Sequence, residues 1–115
     1  MRDAQVQQSA DGRFAAAYDA ARFLCTVVLR AAGYRVASTE RHHEITFLAL
    51  PHVMGQSQLP RAGAYDAYRS RRHTIEYQAI PAATEKEVRE FLADLQSFRR
   101  QVAEWLRKGH AELMT

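Results

Sequence analysis

The feature that most constrains the fold is a long amphipathic segment near the end of the chain. Thr84-Glu85-Lys86-Glu87 has the pattern of a capping box, in which Thr and the Glu three residues later bond each other's backbone N–H groups. The apolar residues that follow recur at helical spacing: Val88, Phe91, Leu92, Leu95, Phe98, Val102, Trp105 and Leu106. A helix with one apolar stripe has to pack against other elements. The rest of the chain shows no strand-like alternation, so the fold class is predicted to be all-α.

Three earlier segments are predicted to supply the helices that cover this stripe, namely residues 12–33, 39–54 and 62–79. With the last helix at 84–113 they form a single domain over residues 1–115, in which residues 1–10 are frayed. Four substantial helices joined by short links predict an antiparallel four- to five-helix bundle.

Local signals set the ends of these helices. Asp11-Gly12 is predicted to cap the first helix, and Gly33 to end it in the left-handed conformation that glycine adopts easily. Pro51 is predicted to kink the second helix or to end it near Ala49. The third helix is expected to begin near Arg61–Ala64, after the loop that Pro60 closes.

Composition bears on the cellular compartment of the protein and on the partners that its charge permits. The apolar runs are too short to span a membrane, and the first ten residues have no signal-peptide core. One cysteine, Cys25, excludes an intramolecular disulfide, so a cytoplasmic protein without membrane contact is predicted. A net charge of +3 permits contact with phosphates without requiring it.

The stretch from Ala64 to Tyr77 has the highest density of groups that can bind or react. Arginine side chains can bind phosphate through two hydrogen bonds, and tyrosines can stack on bases. The predicted binding residues for a nucleotide, RNA or a partner protein are Tyr65, Tyr68, Arg69, Arg72, His73, Glu76 and Tyr77. The alternative is a solvated face, with Tyr68 and Ile75 in the core and the arginines paired to Asp66, Glu76 or carboxylates of the last helix.

Two further groups of residues are candidates for chemistry. Glu40 and His43 have the Glu-x-x-His spacing of di-iron bundle sites, and with His73 they define a metal-binding alternative. A second such pair is absent, so a capped helix start with exposed histidines is preferred, and neither a metal nor a cofactor is predicted. Cys25 lies on an apolar stripe and is predicted to be a buried side chain and not a nucleophile.

The order of these features resembles the small prokaryotic HEPN domains, which are helical bundles. The resemblance covers roughly residues 11–108. It depends on the alanine-rich helix from Phe14, the segment Leu29-Arg-Ala-Ala-Gly-Tyr-Arg35, Arg41-His-His43 at a helix start, and Tyr-Arg-x-Arg-Arg-His-x-x-Glu-Tyr at 68–77. It implies a HEPN-like fold.

In HEPN ribonucleases an arginine and a polar residue precede a histidine by a short spacing that varies by a few residues. Arg72-His73 resembles the start of that motif, but Tyr77, Gln78 and Ala79 stand where the catalytic histidine would fall. The resemblance therefore implies a non-catalytic module that forms a homodimer, binds a nucleotide, RNA or a nucleotidyltransferase, and has a role related to toxin–antitoxin pairs. The leading alternative is a ribonuclease with a degenerate site formed by Arg72, His73 and Tyr77.

Overall fold

The computed structural model describes residues 9–34, 46–77 and 83–109, and for residues 73–77 it describes the helix without its side chains. These ranges contain four α-helices, which we name α1 (Ala10–Ala31), α2 (Leu50–Met54), α3 (Leu59–Tyr77) and α4 (Glu85–Gly109). A single 3₁₀ turn at Gln56–Gln58 joins α2 to α3. The described part of the chain contains no strand, so the protein is an all-α helical bundle.

The helix ends show which local predictions were correct. Thr84 Oγ1 accepts from the N–H of Glu87 at 3.1 Å, and Glu87 Oε1 accepts from the N–H of Thr84 at 3.1 Å, which confirms the capping box. Gly33 has a φ of 93°, and the N–H of Tyr34 donates to the carbonyl of Leu29 at 2.8 Å, so α1 ends in a Schellman motif.

Other helix ends differ from the prediction. The N-cap of α1 is Ser9, whose Oγ accepts from the N–H of Gly12 at 3.0 Å, whereas Asp11 accepts from the N–H of Ala83 at 2.8 Å. Residues 46–48 are also helical, and this helical segment ends at Ala49, as Pro51 predicts, so that α2 begins directly after it. Helix α3 begins at Leu59, earlier than predicted, because Pro60 lies in the first turn, where its missing N–H costs nothing.

The three long helices pack around one aromatic cluster. Phe14 of α1 lies edge-on to Tyr68 of α3 and to Phe91 of α4, with ring centroids 5.1 and 5.3 Å apart. Phe47 joins the same core through Tyr18 and Tyr65, at 5.5 and 5.8 Å. These contacts bury the large rings that the apolar stripes present, and this burial is the main source of stability for such a domain.

The direction of the helices differs from an up-down-up-down bundle. Near its start, α1 pairs Arg13 with Glu85 at the start of α4, at 2.6 Å. The same end of α1 packs against the later part of α3, since Arg71 lies over the ring of Phe14 at 5.1 Å. Helices α1 and α4 are therefore parallel, and both are antiparallel to α3. The predicted antiparallel packing is correct for α1 with α3 and for α3 with α4, but not for α1 with α4.

None of the helices in the described ranges combines the length and apolar character that crossing a membrane requires. Residues 1–8, 35–45, 78–82 and 110–115 lie outside the described residues, and with them most of the predicted frayed terminus 1–10 and part of the predicted helix 39–54. Within that predicted terminus, Ser9 and Ala10 are ordered as the cap and first residue of α1.

Candidate functional site

The arginines of the Ala64–Tyr77 stretch are each paired with a carboxylate. Arg69 Nε donates to Asp66 Oδ1 at 3.2 Å within α3. Arg71 donates from Nη1 and Nη2 to the two carboxylate oxygens of Glu87 in α4, at 3.0 and 2.6 Å. Arg72 makes the longest of these contacts, from Nε to Asp19 Oδ1 in α1 at 3.5 Å. The partners of Arg69 and Arg71 match the alternative in which the arginines pair with Asp66 or with carboxylates of the last helix, whereas the partner of Arg72 lies in α1.

The two tyrosines that were expected to stack on bases occupy different places. Tyr65 is only 1% exposed, and its hydroxyl donates to Asp94 Oδ2 at 2.7 Å. Tyr68 is half-buried against Phe91, with ring centroids 4.6 Å apart. Tyr65 therefore presents no ring face at the surface, whereas the predicted candidates Arg69 and Arg72 are partly accessible.

The remaining candidates cannot be placed in this way. His73, Glu76 and Tyr77 belong to α3, but their side chains lie outside the described part of the structure. Glu40 and His43 also lie outside the described residues. Among the side chains that are described, no three His, Cys, Asp or Glu residues come together as a group that could hold a metal ion.

Sequence reasoning missed a highly connected polar group within the described part of the chain, which centres on Arg61. Arg61 donates to Asp94 twice, from Nε to Oδ2 at 3.0 Å and from Nη2 to Oδ1 at 2.9 Å. Its Nη1 donates to the side-chain oxygens of Gln58 and Gln101, at 2.8 and 3.0 Å. The guanidinium also lies over the ring of Phe98, at 4.9 Å from its centroid. We call Arg61, Asp94, Tyr65, Gln58 and Gln101 the α3–α4 polar network.

Electrostatics keep this network in one protonation state near neutral pH. The pKa of Asp94 is lowered because its hydrogen bonds to Arg61 and Tyr65 outweigh its burial, although burial is the largest single influence and raises the pKa. Burial and the hydrogen bond to Asp94 raise the pKa of the Tyr65 hydroxyl. Neither group is poised to exchange protons, so the network has the properties of a structural lock and not of a general acid–base pair.

Cys25 has no exposed surface, and burial raises the pKa of its thiol to about 12. A thiol in that state is a poor nucleophile, which confirms the prediction of a buried side chain.

The exposed face of α1 carries a large apolar side chain. Phe23 is 68% exposed, more than any other large apolar side chain in the described ranges. Ala16 and Ala20 are also exposed and Val27 is partly exposed, so the four residues follow a spacing of four, three and four along one side of the helix. We call Ala16, Ala20, Phe23 and Val27 the α1 stripe.

Comparisons of the chain with protein-family models, with curated proteins and with solved structures found no match. The fold and the geometry described above therefore carry the functional argument.

Proposed function

We propose that this protein is a non-catalytic, HEPN-like helical module that acts in the cytoplasm by binding a protein partner, and that its first partner is a second copy of itself. The observation that carries the proposal is the α1 stripe, with Phe23 at its centre. The residues of the chain that resemble HEPN domains imply a homodimer independently of this surface.

The α1 stripe has the properties of a self-complementary helix surface. Its four members are uncharged and the exposed Asp19 lies beside them, one turn before Phe23, while the alanines let a second helix approach closely. In an antiparallel pairing of two copies centred near Phe23, Val27 of one copy lies near Ala20 of the other. A small residue then faces a larger one, as packing in a two-fold interface requires.

The paired arginines support binding over catalysis. Arg69, Arg71 and Arg72 each have a carboxylate partner, so their charge is already compensated within the fold. An in-line cleavage of RNA also needs a group that moves a proton, and Tyr77 stands where the resemblance would require the histidine.

Sedimentation velocity at micromolar concentration tests self-association. The wild type is expected to sediment as a dimer, and Phe23→Glu as a folded monomer, because the charge would be buried in the interface. Leu59→Glu is the matched control, since Leu59 is 54% exposed and lies outside the α1 stripe. A wild-type monomer, or a dimer that Phe23→Glu leaves intact, would contradict the proposal. A nucleotidyltransferase, as implied by the resemblance, would be tested as a second partner with the same two variants.

A nucleotide or RNA ligand is the second candidate function, and it is favoured by the accessibility of Arg69. The side chain of Arg69 is 41% exposed, and its partner Asp66 lies on the same helix. An ion pair of this kind is weak, so Arg69 could exchange its carboxylate for a phosphate at little cost. Charge reversal of Arg69 and Arg72 to Glu should then abolish binding of a fluorescent single-stranded RNA, whereas Arg89→Glu on the exposed face of α4 should not.

The two remaining alternatives have direct tests. Cleavage of single-stranded RNA that Arg72→Ala abolishes would establish a ribonuclease and refute the non-catalytic proposal. Stoichiometric transition metal in the purified protein, lost on changing His43 to Ala, would establish the metal-binding alternative through Glu40, His43 and His73.

A further inference from the structure

A cleft of about 360 Å³ opens between α3 and α4, beside the α3–α4 polar network. Its lining includes Ala64 and Tyr68 of α3 and Glu90, Phe91 and Asp94 of α4. This volume lies at the lower end of the range of roughly 300–1,000 Å³ that is usual for ligand sites. No residue of α1 lines the cleft, so it is a separate surface from the α1 stripe.

Two internal arginines show how this part of the fold binds a guanidinium. Arg71 pairs with Glu87 and lies over the ring of Phe14, and Arg61 pairs with Asp94 and lies over the ring of Phe98. Each guanidinium thus has a carboxylate of α4 at its edge and an aromatic ring at its face. Both contacts suit a planar, delocalised cation better than an ammonium group.

Glu90 is the middle carboxylate of the same row. Positions 87, 90 and 94 are three and four residues apart, so they lie on one side of α4. Glu87 and Asp94 each bind an arginine of α3, but Glu90 has no ion pair among the described residues. Ala64 lines the cleft on the α3 side, and its short apolar side chain offers Glu90 no partner.

The aromatic component is also present in the cleft. Tyr68 lines it and packs on the buried Phe91, with ring centroids 4.6 Å apart. The cleft therefore offers a carboxylate and a ring, the two kinds of group that each internal arginine contacts, and the one arginine in its lining, Arg61, is already paired with Asp94.

The charge of the cleft excludes an anionic ligand. Arg61 is the cation nearest to it in the lining, and four of its five N–H groups already donate to Asp94, Gln58 and Gln101. The bidentate pair with Asp94 cancels its charge, which leaves the negative charge of Glu90 to select the ligand.

We propose that this cleft binds the guanidinium of an arginine side chain from a partner protein, with Glu90 as its carboxylate and with the half-buried ring of Tyr68 against its planar face. An open cleft suits a side chain presented by a surface, since the stem of the arginine enters from outside while the partner backbone stays in solvent. The proposal goes beyond self-association through α1 and does not depend on it.

Nuclear magnetic resonance titration with the peptide acetyl-Gly-Arg-Gly-amide tests this proposal. The arginine peptide should shift backbone amides of α3 and α4 around the cleft, and the matching citrulline peptide, which is uncharged, should not. Glu90→Gln should weaken binding about tenfold, the effect expected from losing one charge-assisted hydrogen bond. Glu104→Gln, on the same helix but outside the cleft, should leave binding unchanged.

A second variant provides the missing cation from within the chain. Ala64→Arg should fill the cleft and abolish peptide binding, while a folded Ala64→Arg protein that still binds the peptide at the same amides would overturn the proposal. Equal responses to the citrulline and arginine peptides, or unchanged affinity in Glu90→Gln, would overturn it as well. Butylguanidinium binding without peptide binding would identify a small-molecule site and refute the protein partner.

Discussion

Arg61 and Asp94 form a bidentate pair across α3 and α4, with hydrogen bonds of 3.0 and 2.9 Å. The side chain of Arg61 is only 11% exposed, so water solvates its charge poorly and Asp94 is the group that compensates it. Tyr65 donates to the same carboxylate, and the three residues together fix how α3 lies against α4.

Asp94→Ala should lower the free energy of unfolding by about 2–3 kcal/mol, because Arg61 and Tyr65 both lose their acceptor in a poorly solvated place. Tyr65→Phe removes a single hydrogen bond and should cost about 1 kcal/mol. Urea denaturation followed by circular dichroism measures both changes.

The control for this network is Glu104→Ala. Glu104 pairs with Arg107 and Lys108 on the surface of α4, where removing an ion pair should change stability by less than about 0.5 kcal/mol. If Asp94→Ala were as mild as Glu104→Ala, the network would not be a structural lock.

The pair between Arg71 and Glu87 should make stability depend on pH. Hydrogen bonds from Arg71 and from the backbone of Thr84 lower the pKa of Glu87 from 4.5 to about 2. Because the pKa is lower in the folded chain, the carboxylate stabilises the fold fully above about pH 4.5, and this contribution is lost as the pH falls toward about 2. The side chain is 41% exposed, so solvent screening limits the effect to about 0.5–1 kcal/mol.

Denaturation of the wild type and Glu87→Gln at a series of pH values measures this contribution. The stability difference between them should be largest at pH 7 and should shrink between about pH 4.5 and 2. Glu90→Gln removes a carboxylate that has no ion pair among the described residues, so its stability difference should show no such decline. A difference for Glu87→Gln that stays constant across this pH range would contradict the assignment.

The parts of the fold that sequence predicted are those whose causes are local. Thr84 with Glu87, the end of α1 at Gly33, and the break before Pro51 each depend on residues within one or two turns. The pairing of Arg61 with Asp94 joins residues 33 positions apart, and no local pattern specifies which of many carboxylates an arginine meets. A bulky polar residue such as Tyr65 suits either a core or a binding face, so its burial depends on how the helices pack.

Local sequence patterns also do not specify the direction of the helices or which side of α1 is exposed. The sequence shows that both Phe14 and Phe23 are apolar members of α1, but packing alone decides that Phe14 is buried while Phe23 is exposed. The sequence shows the row of acidic residues at 87, 90 and 94 that borders the cleft between α3 and α4. Predicting the cleft from that row would also require the register of α3 against α4, which the sequence does not show.

Replacing Gly33 and Gly63 by alanine should change the stability of the protein in opposite directions. Gly33 has a φ of 93°, which alanine adopts at a cost, so Gly33→Ala should destabilise the protein by about 1 kcal/mol. Gly63 lies within α3, and a Cβ there would meet nothing within 4 Å. Gly63→Ala should therefore stabilise the protein by about 0.5–1 kcal/mol through helix propensity. Thermal unfolding of both variants provides the comparison, and a shift of the same sign in both would refute the argument.

The rate at which the Cys25 thiol is labelled should measure how often the core opens. Its thiol has no exposed surface, and burial raises its pKa to about 12, so a disulfide reagent such as DTNB at pH 8 should react with it only after unfolding. Labelling of the folded protein should be slower than in denaturant by a factor on the order of a thousand or more, in line with typical domain stability.

The labelling rate can also be compared between the Asp94→Ala and Glu104→Ala variants. If reaction requires opening of the core between α1 and α3, the rate should rise in Asp94→Ala by the factor that its loss of stability predicts, because labelling then follows the population of the open state. Glu104→Ala should label at the wild-type rate. Rapid labelling of the folded wild type would show that Cys25 is accessible, and would reopen the assignment of this residue as an inert part of the core.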